Sequence, residues 1–257
     1  MLEMVGDNAF SLWQGERPVA SALALDYGRR FAWICMVLVT ADWRGRGIAT
    51  QLLRALISRL ATQGLIAGLD ATEAGRVVYR PLGFNDIYAI SRMVATPGRV
   101  VGSWRSIAPE GIVIRPLSID ELDVLVAWDG PVFGAERYGV LAALRQRLPD
   151  CAFIARTAAG EIAGYVLGRD GSTATQLGPI MAVNEAVAKT LLVAALAIPK
   201  KSATVLIDAL DQHQSWLAFL HDLGFVWQRG FSRMLRNYHR PLDAAAKIFA
   251  VAGPELG

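Results

Sequence analysis

The chain has 257 residues, is 53% hydrophobic and 19% charged, and carries a net charge of +3 with 24 Gly and 11 Pro. That composition excludes a disordered, collagen-like or low-complexity protein and leaves room for one or two packed domains. The longest apolar stretches, 31–41 and 186–198, are too short to span a bilayer, and the arginines are scattered rather than gathered into a basic stripe. Neither a membrane nor nucleic acid is therefore expected as a partner. Cys35 and Cys151 lack metal-ligand spacing, as do His213, His221 and His239, and no leader pattern opens the sequence. The expectation is a cytoplasmic location with reduced thiols and no metal.

The chain repeats itself. Leu82-Gly83-Phe84 recurs as Leu223-Gly224-Phe225, and Ser91-Arg92-Met93 as Ser232-Arg233-Met234, both 141 residues later. Gly68-Leu69-Asp70-Ala71 has a counterpart in Leu206-Ile207-Asp208-Ala209. Two related units follow. The first opens with strands at 9–13 and 19–25 around the turn Gln14–Pro18, then a continuous apolar strand at 31–39, as expected when both faces are buried. Ile48, Leu52, Leu56 and Leu60 make one stripe of a helix that Gly64 can end. A strand at 65–69, a helix at 73–82 and a strand at 86–94 close the unit, and residues 97–110 read as a linker.

In the second unit, strands are expected at 112–117, 152–156, 164–168, 174–179, 205–208 and 231–235. Helices are expected at about 119–128, through Val187, Leu191, Ala195 and Ile198, and at 216–220. This alternation predicts an α/β architecture of α+β type with a mixed sheet. The division is 1–96 for the first domain, 97–110 for the linker, 111–240 for the second domain and 241–257 for a tail.

The sharpest local feature is the strand Val37-Leu38-Val39 running through Thr40-Ala41-Asp42-Trp43 into Arg44-Gly45-Arg46-Gly47 and a helix at Ile48-Ala49-Thr50. A Gly-rich turn at a helix start presents backbone N–H groups to an anion, and two arginines add donors. A P-loop would require Gly-Lys-Ser/Thr, which is missing; a dinucleotide fingerprint would require a third small residue where Thr50 stands.

Arg44-Gly45-Arg46-Gly47-Ile48-Ala49 resembles the pyrophosphate loop of GCN5-related N-acetyltransferases (GNAT), and Tyr79-Arg80-Pro81-Leu82-Gly83-Phe84 resembles their later Tyr-x-x-x-Gly-Phe segment. Leu69–Thr72, Val132–Arg137, Leu177–Ile180 and the ending Ala252–Gly257 extend the resemblance to bacterial tandem acetyltransferases of the YitH-like type. It implies two tandem acyl-CoA N-acyltransferase folds, the first lacking its opening strand and helices. It also implies acetyl transfer from acetyl-CoA to a primary amine, with a small-molecule or protein amine as acceptor and a homodimer left open. Val37, Leu38 and Val39 would face the pantetheine arm, Arg44 through Thr50 would hold the pyrophosphate, and Tyr79 would protonate the leaving thiolate.

Each role has a plainer rival: core packing for Tyr79, solvated turn positions for Arg44 and Arg46, and helix caps for Asp70 and Glu73. Asp70, Glu73 and Trp33 are the candidates for contact with the acceptor. Trp13, Trp43 and Trp104 share the choice between pocket lining and packing. In the second unit, aligned through Leu52 and Leu191, Val183–Ala188 replaces the Gly loop and Leu220 replaces Tyr79, so it is expected to be degenerate, a structural and substrate-binding partner. Deleting residues 111–257 is then expected to spare some CoA affinity. The rival function is a non-catalytic acyl-CoA sensor or interaction scaffold.

Overall fold

The computed structural model describes residues 5–28, 30–95, 108–197 and 204–257. Trp104 and most of the expected linker, 97–107, lie outside them. In chain order the first strands and helices are β1 (Ala9–Gln14), β2 (Arg17–Tyr27), β3 (Phe31–Val39), α1 (Ile48–Thr62), β4 (Ile66–Ala71), α2 (Glu73–Tyr79) and β5 (Phe84–Ala95). Then come β6 (Ile112–Pro116), α3 (Leu122–Phe133), α4 (Tyr138–Arg147), β7 (Phe153–Thr157), β8 (Ile162–Asp170) and β9 (Thr175–Ala182). The last are α5 (Glu185–Leu196), β10 (Val205–Leu210), α6 (Gln214–Asp222), β11 (Val226–Arg236) and β12 (Ile248–Val251). No described helix is long and apolar enough to cross a membrane.

Two compact units form, and their boundaries are not those of the repeat. Unit 1 comprises residues 1–87, 232–240 and 254–257, and unit 2 comprises 88–231 and 241–253. In unit 1, β2 pairs antiparallel with β1 and β3, and β3 pairs parallel with β4. The apolar side of α1 (Leu53, Leu56, Ile57, Leu60) packs on Ala22, Ala24, Ala32, Ile34, Leu69 and Phe84 to make its core. Leu52, expected in the buried stripe, is only half-buried at its edge.

The next strand beside β4 comes from the second repeat: Ser232–Leu235 of β11 pair antiparallel with Gly68–Ala71. Reciprocally, in unit 2, Ile90–Ala95 of β5 pair antiparallel with Val205–Leu210 of β10. The repeated motifs meet through this exchange. Arg233 holds Asp70 by two hydrogen bonds of 3.0 and 2.9 Å, and Arg92 holds Asp208 by two of 2.7 Å. Both carboxylates are fully buried, a placement that is tolerable only for a paired charge.

Unit 2 orders its strands β5-β10-β12-β9-β8-β7-β6. β9 and β10 pair in parallel only at Thr175–Gln176 and Val205–Leu206. Beyond that point β12, expected only as part of a tail, fills the gap by pairing antiparallel with both β10 and β9. Gly178 permits the approach, since a Cβ there would strike the Val251 carbonyl. Phe249 anchors the insertion between Trp216 and a stacked His213, whose ring nitrogen lies 3.2 Å from the Ala245 carbonyl.

Helix α4 was not expected from the sequence either. Its N-cap is Arg137, which is buried with Asp129 and Tyr165 in a hydrogen-bonded cluster. A second chain of polar contacts runs Arg169 to Gln176 to Asp208. Asp129, Arg137 and Asp208 are thus buried members of ion pairs.

Replacing Arg233 by Ala leaves Asp70 buried without this partner and is expected to destabilise the chain by about 3–5 kcal/mol, read from urea unfolding; Arg92→Ala should act similarly through Asp208. A fragment ending at residue 110 lacks the strand that pairs with β4, so it is expected to show no cooperative unfolding by circular dichroism. That outcome contradicts the sequence-based expectation that the first repeat alone retains CoA affinity.

Candidate active site

The site of unit 1 starts from a defect in β3. Ser21 pairs with Leu38 but Leu23 pairs with Cys35, so Met36 and Val37 oppose Ala22 alone. Met36 takes φ of 51°, an uncommon value for a residue with a side chain. On its other edge β3 pairs with β4 only as far as Trp33 and Gly68. From there β4 continues beside β11, and among the described residues no strand pairs with this edge of β3 over Ile34–Val39. The bulge and the parting of the strands leave backbone donors and acceptors available along a cleft.

The chain then turns through Ala41–Trp43 into the Gly loop. Gly45 and Gly47 have φ of 75° and 72°, a left-handed conformation that costs an L-residue roughly 1–2 kcal/mol. Gly47 is the N-cap of α1 and supplies no side chain, and the first helical bond runs from the Gln51 N–H to the Gly47 carbonyl. The N–H groups of Ile48, Ala49 and Thr50 thus have no carbonyl partner, which makes this helix start receptive to an anion. Both arginines brace the loop: Arg44 Nε donates to the Val39 carbonyl at 3.1 Å, and Arg46 donates to the Asp42 carbonyl at 3.0 Å while lying over the Trp43 ring. They remain exposed, so they are solvated and structural at once.

Tyr79 ends α2. Its ring packs 5.9 Å from that of Phe84 and covers Gly75, where a Cβ would lie 2.9 Å from the ring. Burial raises its phenol above the ordinary value, and among the described residues nothing hydrogen-bonds its hydroxyl. Thr72 caps the helix through the Gly75 N–H, and Arg76 and Arg80 both clamp Asp86 at the start of β5. Val37 and Tyr79 pack on the same hydrophobic cluster, so the bulged strand and the phenol share the α1 face of the sheet. A groove of about 580 Å³ runs along α1, lined by Arg54, Ile57, Ser58, Leu82 and Arg236.

The acceptor candidates divide. Asp70 and Trp33 meet at Arg233, whose guanidinium also sits 4.5 Å from the Trp33 ring centroid. Asp70 and Trp33 are buried and engaged with Arg233, while Glu73 is exposed in the first turn of α2. Trp13 is exposed on β1. The sequence reading missed Arg233, although its place in the repeated Ser-Arg-Met motif marked it. It noted the ending Ala252–Gly257 but gave no site role to Pro254–Gly257, whose carbonyls accept from Trp33 Nε1 at 2.9 Å and from the Tyr27 hydroxyl at 2.6 Å.

The corresponding positions of unit 2 differ in chemistry. The N-cap of α5 is Asn184, whose side chain accepts from the Val187 N–H at 3.1 Å. Glu185 follows in the first turn and is paired with Lys189. Leu220, at the position of Tyr79, is fully buried in the core.

A GNAT acetyltransferase family model matches residues 4–84, and a GNAT acetyltransferase domain model matches residues 125–250. The chain is 27% identical over 242 residues to holothin acyltransferase of a Pseudoalteromonas species, covering 94% of this chain and 79% of that protein. It is 26% identical over 211 residues to the uncharacterized N-acetyltransferase YitH of Bacillus subtilis, covering 80% and 70%. The structure of a candidate acetyltransferase from Pyrococcus horikoshii shares the fold with a TM-score of 0.78 at 21% identity, covering all of this chain and 82% of that one. With both halves matched and the same α/β fold in solved relatives, the chain is an acyltransferase that belongs to the GNAT acetyltransferase family, carrying two GNAT domains in tandem.

Proposed function

We propose that unit 1 transfers acetyl from acetyl-CoA to a primary amine by direct attack on the thioester, and that unit 2 is non-catalytic. The observation that carries this reading is the contrast between two related clefts. In unit 1 the edge of β3 over Ile34–Val39 has no strand partner among the described residues and leads to a helix start without a side-chain cap. In unit 2 the gap is filled by β12 and the helix start is capped by Asn184.

The residues of unit 1 fit acetyl-CoA. Nothing lies within 4 Å of where a Cβ on Gly45 or Gly47 would project, so an anionic group can approach the main chain. The N–H groups from Arg44 through Thr50 would hold the pyrophosphate, and Val37, Leu38 and Val39 would offer backbone groups to the pantetheine arm. Acetyl-CoA supplies the activated carbonyl and a thiolate leaving group. Tyr79 keeps its proton at neutral pH because burial disfavours the phenolate. It is therefore a hydrogen-bond donor able to protonate a departing thiolate, a role that contributes about 10²–10⁴ to a rate. A reducing cytoplasm suits the two buried thiols, Cys35 and Cys151. The relative named for holothin places that compound beside simple amines in an acceptor panel.

Titration calorimetry is expected to give one acetyl-CoA bound per chain, and the Arg44→Glu, Gly47→Glu double variant is expected to lose it while unfolding at the wild-type temperature within a few degrees. Two molecules bound per chain would reject a closed second cleft. Tyr79→Phe is expected to lower kcat about 10²-fold with acetyl-CoA affinity unchanged. Undiminished turnover in that variant would remove Tyr79 from the chemistry, and a wild type that binds acetyl-CoA without transferring it to any amine would favour the sensor reading.

A further inference from the structure

Helix α1 presents Arg54, Ile57 and Ser58 at spacings of three and four, which places them on one stripe of its surface. Across from that stripe lie Pro81 and Leu82, in the turn that follows Tyr79, and Arg236, the last residue of β11. Together they line the groove of about 580 Å³, all of it within unit 1. Its lining holds two guanidiniums and a hydroxyl on an otherwise apolar wall, and no carboxylate.

These donors are not used by the fold. Among the described residues the Arg54 guanidinium and the Ser58 hydroxyl have no hydrogen-bond or ion-pair partner, and both side chains are exposed. Arg236 is half-buried and commits only Nε, which donates to the Leu82 carbonyl at 3.0 Å. The neighbouring Asn237 N–H donates to the Gly83 carbonyl at 2.9 Å, so the end of β11 is tied to the turn at two points and Arg236 is held in place before any ligand arrives. The acid after the turn, Asp86, is already clamped by Arg76 and Arg80. Two guanidiniums without a counter-charge suit a dianion, and a phosphate offers them charge-assisted acceptors in the geometry that arginine matches.

The groove is separate from the Gly loop. Arg54 stands six residues after Ile48, about 9 Å along the helix axis, and Ser58 is a further turn away. One anion cannot engage both the N–H groups at the helix start and this pair of arginines. The volume exceeds that of a phosphate alone, and Ile57, Pro81 and Leu82 offer an apolar wall to a group attached to it.

We propose that this groove is a phosphomonoester site, in which Arg54 and Arg236 share the phosphate, Ser58 adds a neutral donor and the apolar wall takes the organic group esterified to it. Two sources carry that chemistry: the 3′-phosphate end of the nucleotide in acetyl-CoA, and a separate phosphorylated small molecule. The first source rests on the reading of unit 1 as the acetyl-CoA unit; the site itself does not. In either case a cation from the second repeat, Arg236, completes a ligand site whose other walls belong to the first, and its occupant bridges α1 to the turn that follows Tyr79.

The test uses the full-length chain and three probes: phenyl phosphate, followed by ³¹P NMR titration, and acetyl-CoA and its 3′-dephospho form, followed by calorimetry. Phenyl phosphate is expected to bind the wild type and the Arg44→Glu, Gly47→Glu double variant alike, and to lose about tenfold or more in affinity with Arg54→Glu. Arg236→Gln should act in the same direction, and Arg54→Glu, at an exposed helix position, serves if that variant is unstable. A preference of about tenfold for acetyl-CoA over its dephospho form that disappears in Arg54→Glu identifies the donor's own phosphate as the occupant. Equal affinity for the two donors, with phenyl phosphate still dependent on Arg54, identifies a separate phosphomonoester. Phenyl phosphate binding that is indifferent to Arg54→Glu, or missing altogether, together with equal donor affinities in every variant, overturns the proposal. A wild type that binds phenyl phosphate at Arg54 but no acetyl-CoA overturns instead the reading of unit 1 and leaves the groove as assigned.

Discussion

Two buried aspartates set the architecture. Asp70 and Asp208 occupy matching positions in the two repeats, each in the second half of a short inner strand and each without solvent at its carboxylate. A carboxylate in that position requires a cation with matching geometry, and a guanidinium with two parallel N–H groups supplies it. The arginine of each pair comes from the other repeat: Arg233 for Asp70 and Arg92 for Asp208. The strands that carry these arginines pair with the strands that carry the aspartates, so electrostatics and backbone hydrogen bonding select the same exchange. The repeats are consequently not the units of packing.

The same scaffold has been tuned in opposite directions at its two clefts. In unit 1 a left-handed glycine ends the loop, the helix start has no side-chain cap, and Met36 accepts an unfavourable backbone angle to keep the bulge. Such features lower local stability and are retained where unpaired donors are useful. Unit 2 keeps a bulge, with Gly178 and Pro179 opposite Leu167, but differs in the rest. Asn184 caps its helix, Leu220 replaces a phenol with core, and β12 supplies hydrogen bonds along the gap between β9 and β10. Along this gap the backbone groups of β9 and β10 are hydrogen-bonded to β12. The chain that closes it goes on to place Pro254–Gly257 against Tyr27 and Trp33, so one terminal segment serves both units.

What the sequence determined alone was local and periodic. The all-apolar run of β3, the stripe of α1, the Gly loop and the spacing from Tyr79 to Gly83-Phe84 are short-range signals, and each element formed within a few residues of its expected bounds. The repeat was equally legible, because identical tripeptides 141 positions apart do not need a structure to be seen. Which Asp meets which Arg was not, since pairing within a repeat and pairing across repeats use the same residues. Nor was the strand at Ile248–Val251, four apolar residues whose only reason to be extended is the gap they enter. Propensity and spacing act over a turn or a strand, whereas exchange of strands, burial of Asp129 with Arg137, and the anchoring of Pro254 and Leu256 at Trp33 and Tyr27 depend on which distant surfaces come together. Only the tertiary structure decided those.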